Sequence, residues 1–133
     1  MRILTIRAAL LAMAAASAPA FAAPSGCMAD ATTQTAIDDC AASRYRQSDL
    51  QLNHTYQALV AKVAEPARGR LKEAQRRWVA WRDAQCAFEA SGVAGGSAAP
   101  MVASQCLDAL TRAQTRRLDS HLHCPEGDLA CTN

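Results

Sequence analysis

Six cysteines carry the most specific chemistry in the sequence. No two of them are separated by only two residues, so the spacing of a thioredoxin-like redox centre is absent. In a short exported chain, an even number of cysteines predicts a framework of disulfide bonds. The residues concerned are Cys27, Cys40, Cys86, Cys106, Cys124 and Cys131.

The run His121-Leu122-His123-Cys124 suggests a metal, because imidazole and thiolate bind zinc or copper. An oxidised Cys124 offers no thiolate, and two histidines without a third ligand make a poor site. We therefore predict no metal ligands and no cofactor. A metal-binding periplasmic protein stays as an alternative, to be tested by replacing His121 and His123.

Enzyme motifs are missing from the chain. It has no Gly-x-Ser-x-Gly, no His-Glu-x-x-His and no phosphate-binding loop. The carboxylates of Asp38, Asp39, Asp83 and Glu89 are typical of ordinary helix-surface charges. The sequence predicts a protein that is not an enzyme and has no catalytic residues.

Residues 1–22 have the pattern of a cleaved signal peptide. Arg2 and Arg7 form a positive start, Ala8–Ala18 is apolar but too short to span a bilayer, and Ala20-Phe21-Ala22 is an A-x-A cleavage site. A membrane anchor, or a lipid on Cys27, is the alternative. We predict a periplasmic or secreted protein without stable membrane insertion.

The charge balance indicates the class of partner. The full chain of 133 residues has 14 basic and 12 acidic residues. Loss of Arg2 and Arg7 leaves 12 of each sign, so the mature chain is neutral. A neutral domain lacks the basic excess of nucleic-acid-binding proteins, and it favours a protein partner. The sequence does not define an oligomeric state.

Three segments have the three- and four-residue spacing of apolar side chains that is typical of amphipathic helices. In the second segment, Gln75 and Arg82 are expected beside a shared side that carries Leu71, Ala74, Trp78, Trp81, Gln85 and Phe88. We predict a small antiparallel three-helix bundle joined by disulfides, with residues 23–122 as the helical domain and 123–133 as a disulfide-closed tail. The helices are expected at about Thr33–Val63, Ala67–Ala90 and Met101–Leu122, with a loop at Ser91–Pro100.

Short connections make sequential helices antiparallel neighbours, which predicts contacts across each turn. Around Pro66, Asp49 should face Arg82 and Tyr56 should face Gln75. Asn53 should then face Trp78.

The same geometry predicts the disulfide pairs. Cys86 should face Cys106 across the glycine loop. Cys124 lies about 27 Å beyond Cys106 if the helix is continuous, too far for a bridge between them, so it is expected to pair with Cys131. Cys27 and Cys40 remain, and an exchange of partners among Cys27, Cys40, Cys86 and Cys106 stays open.

Three blocks in this order and spacing resemble the LprI-type lysozyme-inhibitor family. The most specific is Gln75-x-x-Trp78-x-x-x-Arg82-Asp83-x-x-Cys86. The first block is Asp49-Leu50-Gln51-Leu52-Asn53 with Tyr56 and Leu59, and the third runs from Gly95-Gly96-Ser97 through Cys106 to Thr115 and Leu118.

The resemblance covers about Cys27 to Leu122 and implies an exported helical domain with disulfides. For a founding member it implies inhibition of lysozyme, so a lysozyme is the expected partner. One departure is Gln114, where the family usually has Arg. The alternative is a structural or adaptor protein of the cell envelope with no effect on lysozyme.

The motif residues also have structural interpretations. Asp49 and Arg82 are expected to form a partly buried ion pair that fixes helix register, which Asn53, Tyr56 and Gln75 would extend. Trp78 and Trp81 are expected to fill grooves between helices. The Gly96-Ser97 loop either turns the chain or inserts into an enzyme cleft.

Overall fold

The computed structural model describes residues 26–129 and Cys131. The predicted signal peptide lies outside the described residues. The all-α prediction is confirmed, because the described part of the chain forms helices and no strands. The elements are α1 (Cys27–Asp30), α2 (Gln34–Lys62), α3 (Ala67–Ala90), a 3₁₀ turn (Ser91–Val93) and α4 (Ala99–Leu122).

Local sequence explains where the long helices begin. Thr33 is extended, and its Oγ1 accepts a hydrogen bond from the backbone N–H of Ala36 at 3.2 Å, so it caps α2. α3 begins directly after Pro66, and Pro100 lies in the first turn of α4. Proline suits these positions because the first helical N–H groups have no acceptor within the helix.

α2 and α4 run parallel, with α3 antiparallel to both. The backbones of α2 and α4 approach each other closely, whereas α3 packs mainly against α4 and makes few close backbone approaches to α2. The buried α2 and α4 residues Ala41, Ser48, Thr55 and Thr111 are small. α3 instead turns Trp78 and Arg82 inward, and these long side chains hold its backbone farther away. Sequential antiparallel packing was therefore an incomplete prediction, because the closest helix pair is not consecutive in the chain.

The apolar core occupies the end of the bundle where α2 turns into α3. The partly buried side chains that pack around this apolar core are those of Tyr56, Ala67, Leu71, Trp78 and Leu122. Toward the opposite end, buried cysteines and polar side chains replace it. The fully buried apolar cluster is Leu52, Leu59, Val63 and Leu118.

The disulfide pairs are Cys27–Cys40, Cys86–Cys106 and Cys124–Cys131, with Cα–Cα distances of 5.7, 5.5 and 5.8 Å. The predicted pairing is confirmed and the exchange of partners is excluded. Because Cys27 is in a disulfide, its thiol cannot carry a lipid in this oxidised state. Within the described residues, no helix combines the length and apolar character that crossing a bilayer requires.

The predicted apolar side of α3 is wrong in its orientation. Gln75, Arg82 and Cys86 are the buried residues of this helix, whereas Trp81 is 51% exposed and Phe88 is 72% exposed. At 100° per residue, Phe88 lies about 160° from Cys86 around the helix. Since Cys86 must face Cys106, Phe88 has to point away from the bundle.

Candidate functional site

Arg82 joins the three long helices through its guanidinium group. Its Nη1 donates to Asp49 Oδ1 on α2 at 3.2 Å and to Thr111 Oγ1 on α4 at 3.3 Å. Its Nε donates to Asp83 Oδ1 at 2.9 Å. The group also lies 5.5 Å from the ring centre of Tyr45 and 5.3 Å from that of Trp78.

The electrostatics of this network favour a permanent cation. Burial by itself would lower the pKa of Arg82, but the hydrogen bond to Asp83 and the neighbouring charges raise that pKa above its ordinary value. Burial raises the pKa of the Tyr45 phenol, which Arg82 partly opposes. With Arg82 charged and Tyr45 neutral at ordinary pH, the arrangement ties the three long helices together.

The predicted register of Asp49 against Arg82 is confirmed by their 3.2 Å contact. Asn53 is exposed and donates to Asp49 Oδ2 at 3.1 Å instead of meeting Trp78. Tyr56 packs on the apolar cluster. Asn53 therefore joins Asp49 from an exposed position and not from the predicted seam between helices.

Gln75 and Gln114 form a polar contact between α3 and α4. Gln75 is 8% exposed, and its Oε1 accepts a hydrogen bond from Gln114 Nε2 at 3.2 Å. The expected contact of Gln75 with Tyr56 is thus replaced by one with α4. Gln114, which departs from the family pattern, faces the inside of the bundle. Its direct effect is therefore on helix packing.

The loop after α3 projects from the end of the bundle. Gly96 and Ser97 are exposed within it, as the loop prediction required. The backbone N–H groups of Gly96 and Ala99 donate to the carbonyl oxygens of Val93 and Gly96 at 3.0 and 3.2 Å. Gly95 has a φ angle of 77°, a backbone conformation that residues with a side chain rarely adopt.

The Cys86–Cys106 disulfide closes the base of this loop. It links the last turns of α3 to the first turns of α4, with both cysteines buried. Together with the hydrogen bonds inside the loop, it holds residues 91–98 in a defined shape. This end of the molecule therefore presents a preorganised protrusion.

Trp81 and Phe88 form an exposed aromatic stripe on α3, next to the loop. They are seven residues apart, which places them on one helix face about 10 Å apart along the axis. Val93, at 37% exposure, extends the apolar surface into the loop. The predicted groove-filling role is wrong for Trp81, whereas Trp78 does pack on the core.

Sequence reasoning could have found the aromatic stripe. The disulfide prediction fixes Cys86 as inward, and the ion-pair prediction fixes Arg82 as inward. Both constraints place Phe88 and Trp81 on the solvent-facing side of α3. The apolar character of the two rings favours the opposite orientation, which the disulfide and the ion pair override.

The C-terminal turn brings Cys124, Asp128 and Cys131 together. Both sulfur atoms are in the disulfide, so they offer no thiolate to a metal. His121 lines a cavity together with Leu59 of α2 and residues of α3, whereas His123 Nδ1 lies 3.1 Å from Asp119 Oδ1. This arrangement gives no support to the metal-binding alternative.

Comparison with known proteins agrees with these features. A family model described as lysozyme inhibitor LprI matches residues 27–118. An uncharacterized protein of Rhizobium meliloti (strain 1021) is 35% identical over 109 residues, covering 72% of this chain and 78% of that protein. No solved structure matches the chain significantly.

Proposed function

The chain belongs to the LprI family of lysozyme inhibitors, and from this premise we propose that it is exported and inhibits a lysozyme by occluding its substrate cleft. The observation that carries the proposal is the disulfide-closed loop at residues 91–98 beside the exposed Trp81 and Phe88. Three disulfides suit an oxidising compartment, the periplasm or beyond.

Preorganisation makes the loop suitable for insertion. A flexible loop loses conformational entropy when it binds, and a loop that is already fixed loses less. The Cys86–Cys106 disulfide and the backbone hydrogen bonds within the loop supply that rigidity here. Glycines at 95 and 96 let the backbone approach another surface closely.

The aromatic stripe supplies the apolar anchors. Tryptophan is enriched among the residues that contribute most to protein interfaces, and aromatic residues are enriched in interface cores. Trp81 and Phe88 are each at least half exposed in the free protein, so both have apolar area left to bury. The loop and the stripe together form one surface, which we call the inhibitory surface (Trp81, Phe88 and residues 91–98).

The Ser97 hydroxyl supplies the polar contact at the tip. Lysozymes cleave glycosidic bonds with a pair of carboxyl groups in the cleft. A neutral hydroxyl donor can hydrogen-bond such a carboxylate without bringing a buried charge. The inhibitory surface would then block the substrate and engage the catalytic carboxylates together.

Short-range fit has to provide the affinity, because the mature chain is neutral with 12 basic and 12 acidic residues. Long-range steering toward a charged enzyme needs a net charge on the inhibitor. We therefore expect inhibition to change little between 50 and 300 mM salt, about threefold or less.

The test is a cell-wall lysis assay with lysozymes of the animal and bacterial classes. The oxidised protein, with its N-terminus expected at Ala23, is titrated against each enzyme. One class should be inhibited stoichiometrically. Phe88→Ala or Trp81→Ala should then weaken inhibition at least tenfold, the loss of one interface anchor.

The matched control is Leu50→Ala. Leu50 is 72% exposed and lies on the outer face of α2, opposite the buried Leu52. This substitution removes a similar exposed apolar side chain without touching the inhibitory surface, so inhibition should be unchanged. Equal weakening by Leu50→Ala and Phe88→Ala would contradict the assigned surface. Absence of inhibition across all enzyme classes, with folding verified, would contradict the function.

An envelope adaptor is the second candidate function. It is favoured by the structural role of three family-motif residues, since Arg82, Asp49 and Gln75 connect helices. An adaptor would leave lysis unaffected and would be crosslinked to an envelope protein through the same exposed aromatics.

A further inference from the structure

We propose that a polar groove between α2 and α4 binds an oxyanion, a carboxylate or phosphate, carried by a small hydroxylated ligand. The groove has a volume of about 360 Å³. None of its lining residues belongs to α3 or the 91–98 loop, so the proposal does not rest on lysozyme inhibition. The α2–α4 groove is lined by Gln47, Ser48, Gln51, Arg112, Thr115 and Arg116.

Two guanidinium groups supply the positive charge of the groove. Arg112 uses Nε to donate to both carboxylate oxygens of Asp108, at 2.9 and 3.0 Å. Within the part of the chain that the structure describes, the terminal nitrogens of Arg112 make no hydrogen bond, and Arg116 has no ion pair. Arg116 lies one turn after Arg112, so both can reach one ligand.

The charges around the groove leave it positive. Asp108 is the acid facing Arg112, and its carboxylate is already paired. Arg44, which is one turn before Ser48 on α2, lines an adjoining cavity together with Asp108. Three arginines (Arg44, Arg112 and Arg116) and one aspartate (Asp108) thus line these two adjoining cavities.

Neutral groups in the groove provide acceptors as well as donors. The Ser48 hydroxyl donates to the Tyr45 carbonyl at 2.9 Å, and the Thr115 hydroxyl donates to the Thr111 carbonyl at 2.9 Å. Each hydroxyl proton is already used in one of these hydrogen bonds, but both hydroxyl oxygens can still accept a hydrogen bond from a ligand. The side-chain amides of Gln47 and Gln51 add donors and acceptors.

This combination defines the ligand class. Arginine recognises carboxylate and phosphate groups through paired N–H donors. Hydroxyl and amide groups beside it match the hydroxyls of a sugar acid or sugar phosphate. The lining contains no aromatic ring for stacking, so charge has to supply most of the affinity, and binding should weaken with salt.

The experiment is a titration of the oxidised ¹⁵N-labelled protein, followed by amide and arginine Nε–H signals. The probes are N-acetylmuramic acid, its neutral counterpart N-acetylglucosamine, and inorganic phosphate. N-acetylmuramic acid should shift the signals of Gln47, Gln51 and Arg112 saturably, and N-acetylglucosamine should not. Tighter binding of the sugar acid than of phosphate would support the hydroxylated class, and equal binding would overturn that part.

Arg116→Gln is the test variant, with Arg117→Gln as its matched control. Both arginines are exposed on α4, but Arg117 is outside the groove. Arg116→Gln should weaken binding roughly tenfold, which corresponds to the loss of one charged pair, and Arg117→Gln should leave it unchanged. Equal effects of the two variants, or no saturable shifts with either anion, would overturn the proposal.

Discussion

Removal of the Cys86–Cys106 disulfide should lower the free energy of unfolding by about 3 kcal/mol. The two cysteines are 20 residues apart and are 2% and 8% exposed. For a loop of that length, the chain-entropy relation gives about 3.3 kcal/mol at 25 °C. The double variant Cys86→Ala/Cys106→Ala is appropriate, because serine would bury two hydroxyls.

The control is Cys124→Ala/Cys131→Ala. A separation of 7 residues gives about 2.4 kcal/mol by the same relation. We expect less than about 0.5 kcal/mol, because this crosslink lies beyond α4 and the described residues between the two cysteines are exposed. A tail that opens without the bundle contributes little to global unfolding.

Guanidinium titration and thermal melting, both followed by circular dichroism, separate these cases. A loss of about 3 kcal/mol corresponds to a decrease in Tm of about 12–25 °C for a domain of this size. The tail variant should melt within about 4 °C of the wild type. A loss below about 1 kcal/mol at Cys86–Cys106, or equal losses in the two double variants, would refute the reasoning.

Three further outcomes are expected. Arg82→Lys keeps the charge but cannot reach both carboxylates and Thr111 at once, so denaturant titration should show a loss of about 1.5–3 kcal/mol; wild-type stability would contradict the role of the guanidinium fork. Gln114→Leu should cost about 1–2 kcal/mol by leaving buried Gln75 without its donor, and adding Gln75→Leu should recover most of it in a double-mutant cycle. Because burial raises the pKa of Tyr45 above 10, the stability contributed by its neutral phenol is complete below pH 10 and is lost as the pH rises through the folded pKa; Tyr45→Phe should flatten that alkaline decline in denaturation midpoints, and an unchanged decline would refute the assignment.

Local signals in the sequence were sufficient for the helices. Thr33, Pro66 and Pro100 mark helix starts by their own chemistry, and the glycine-rich loop lies where the composition predicts it. Helix lengths and turn positions also predicted Cys124–Cys131 and favoured Cys86–Cys106, whereas an exchange among Cys27, Cys40, Cys86 and Cys106 stayed open until the structure was known. These features depend on short-range geometry, so the order of residues is enough to predict them.

The orientation of α3 was harder to predict, because its more apolar face is not the face that packs inward. One face carries Trp81 and Phe88, and the other carries Gln75, Arg82 and Cys86. Hydrophobicity favours the first face. The structure adopts the second, since the disulfide and the contacts of Arg82 with Asp49 and Thr111 are available only there.

The sequence by itself determined the helical class, the loop and the pairing of Cys124 with Cys131, and its motifs pointed to the LprI family. Only the tertiary structure decided the pairing of Cys27 with Cys40 and the close packing of α2 against α4, which forms the α2–α4 groove. The physical reason is that helix formation depends on neighbours within a few residues. Exposure depends on how the three long helices pack against one another. In this small core, both apolar contacts and the hydrogen bonds of Arg82 determine that packing.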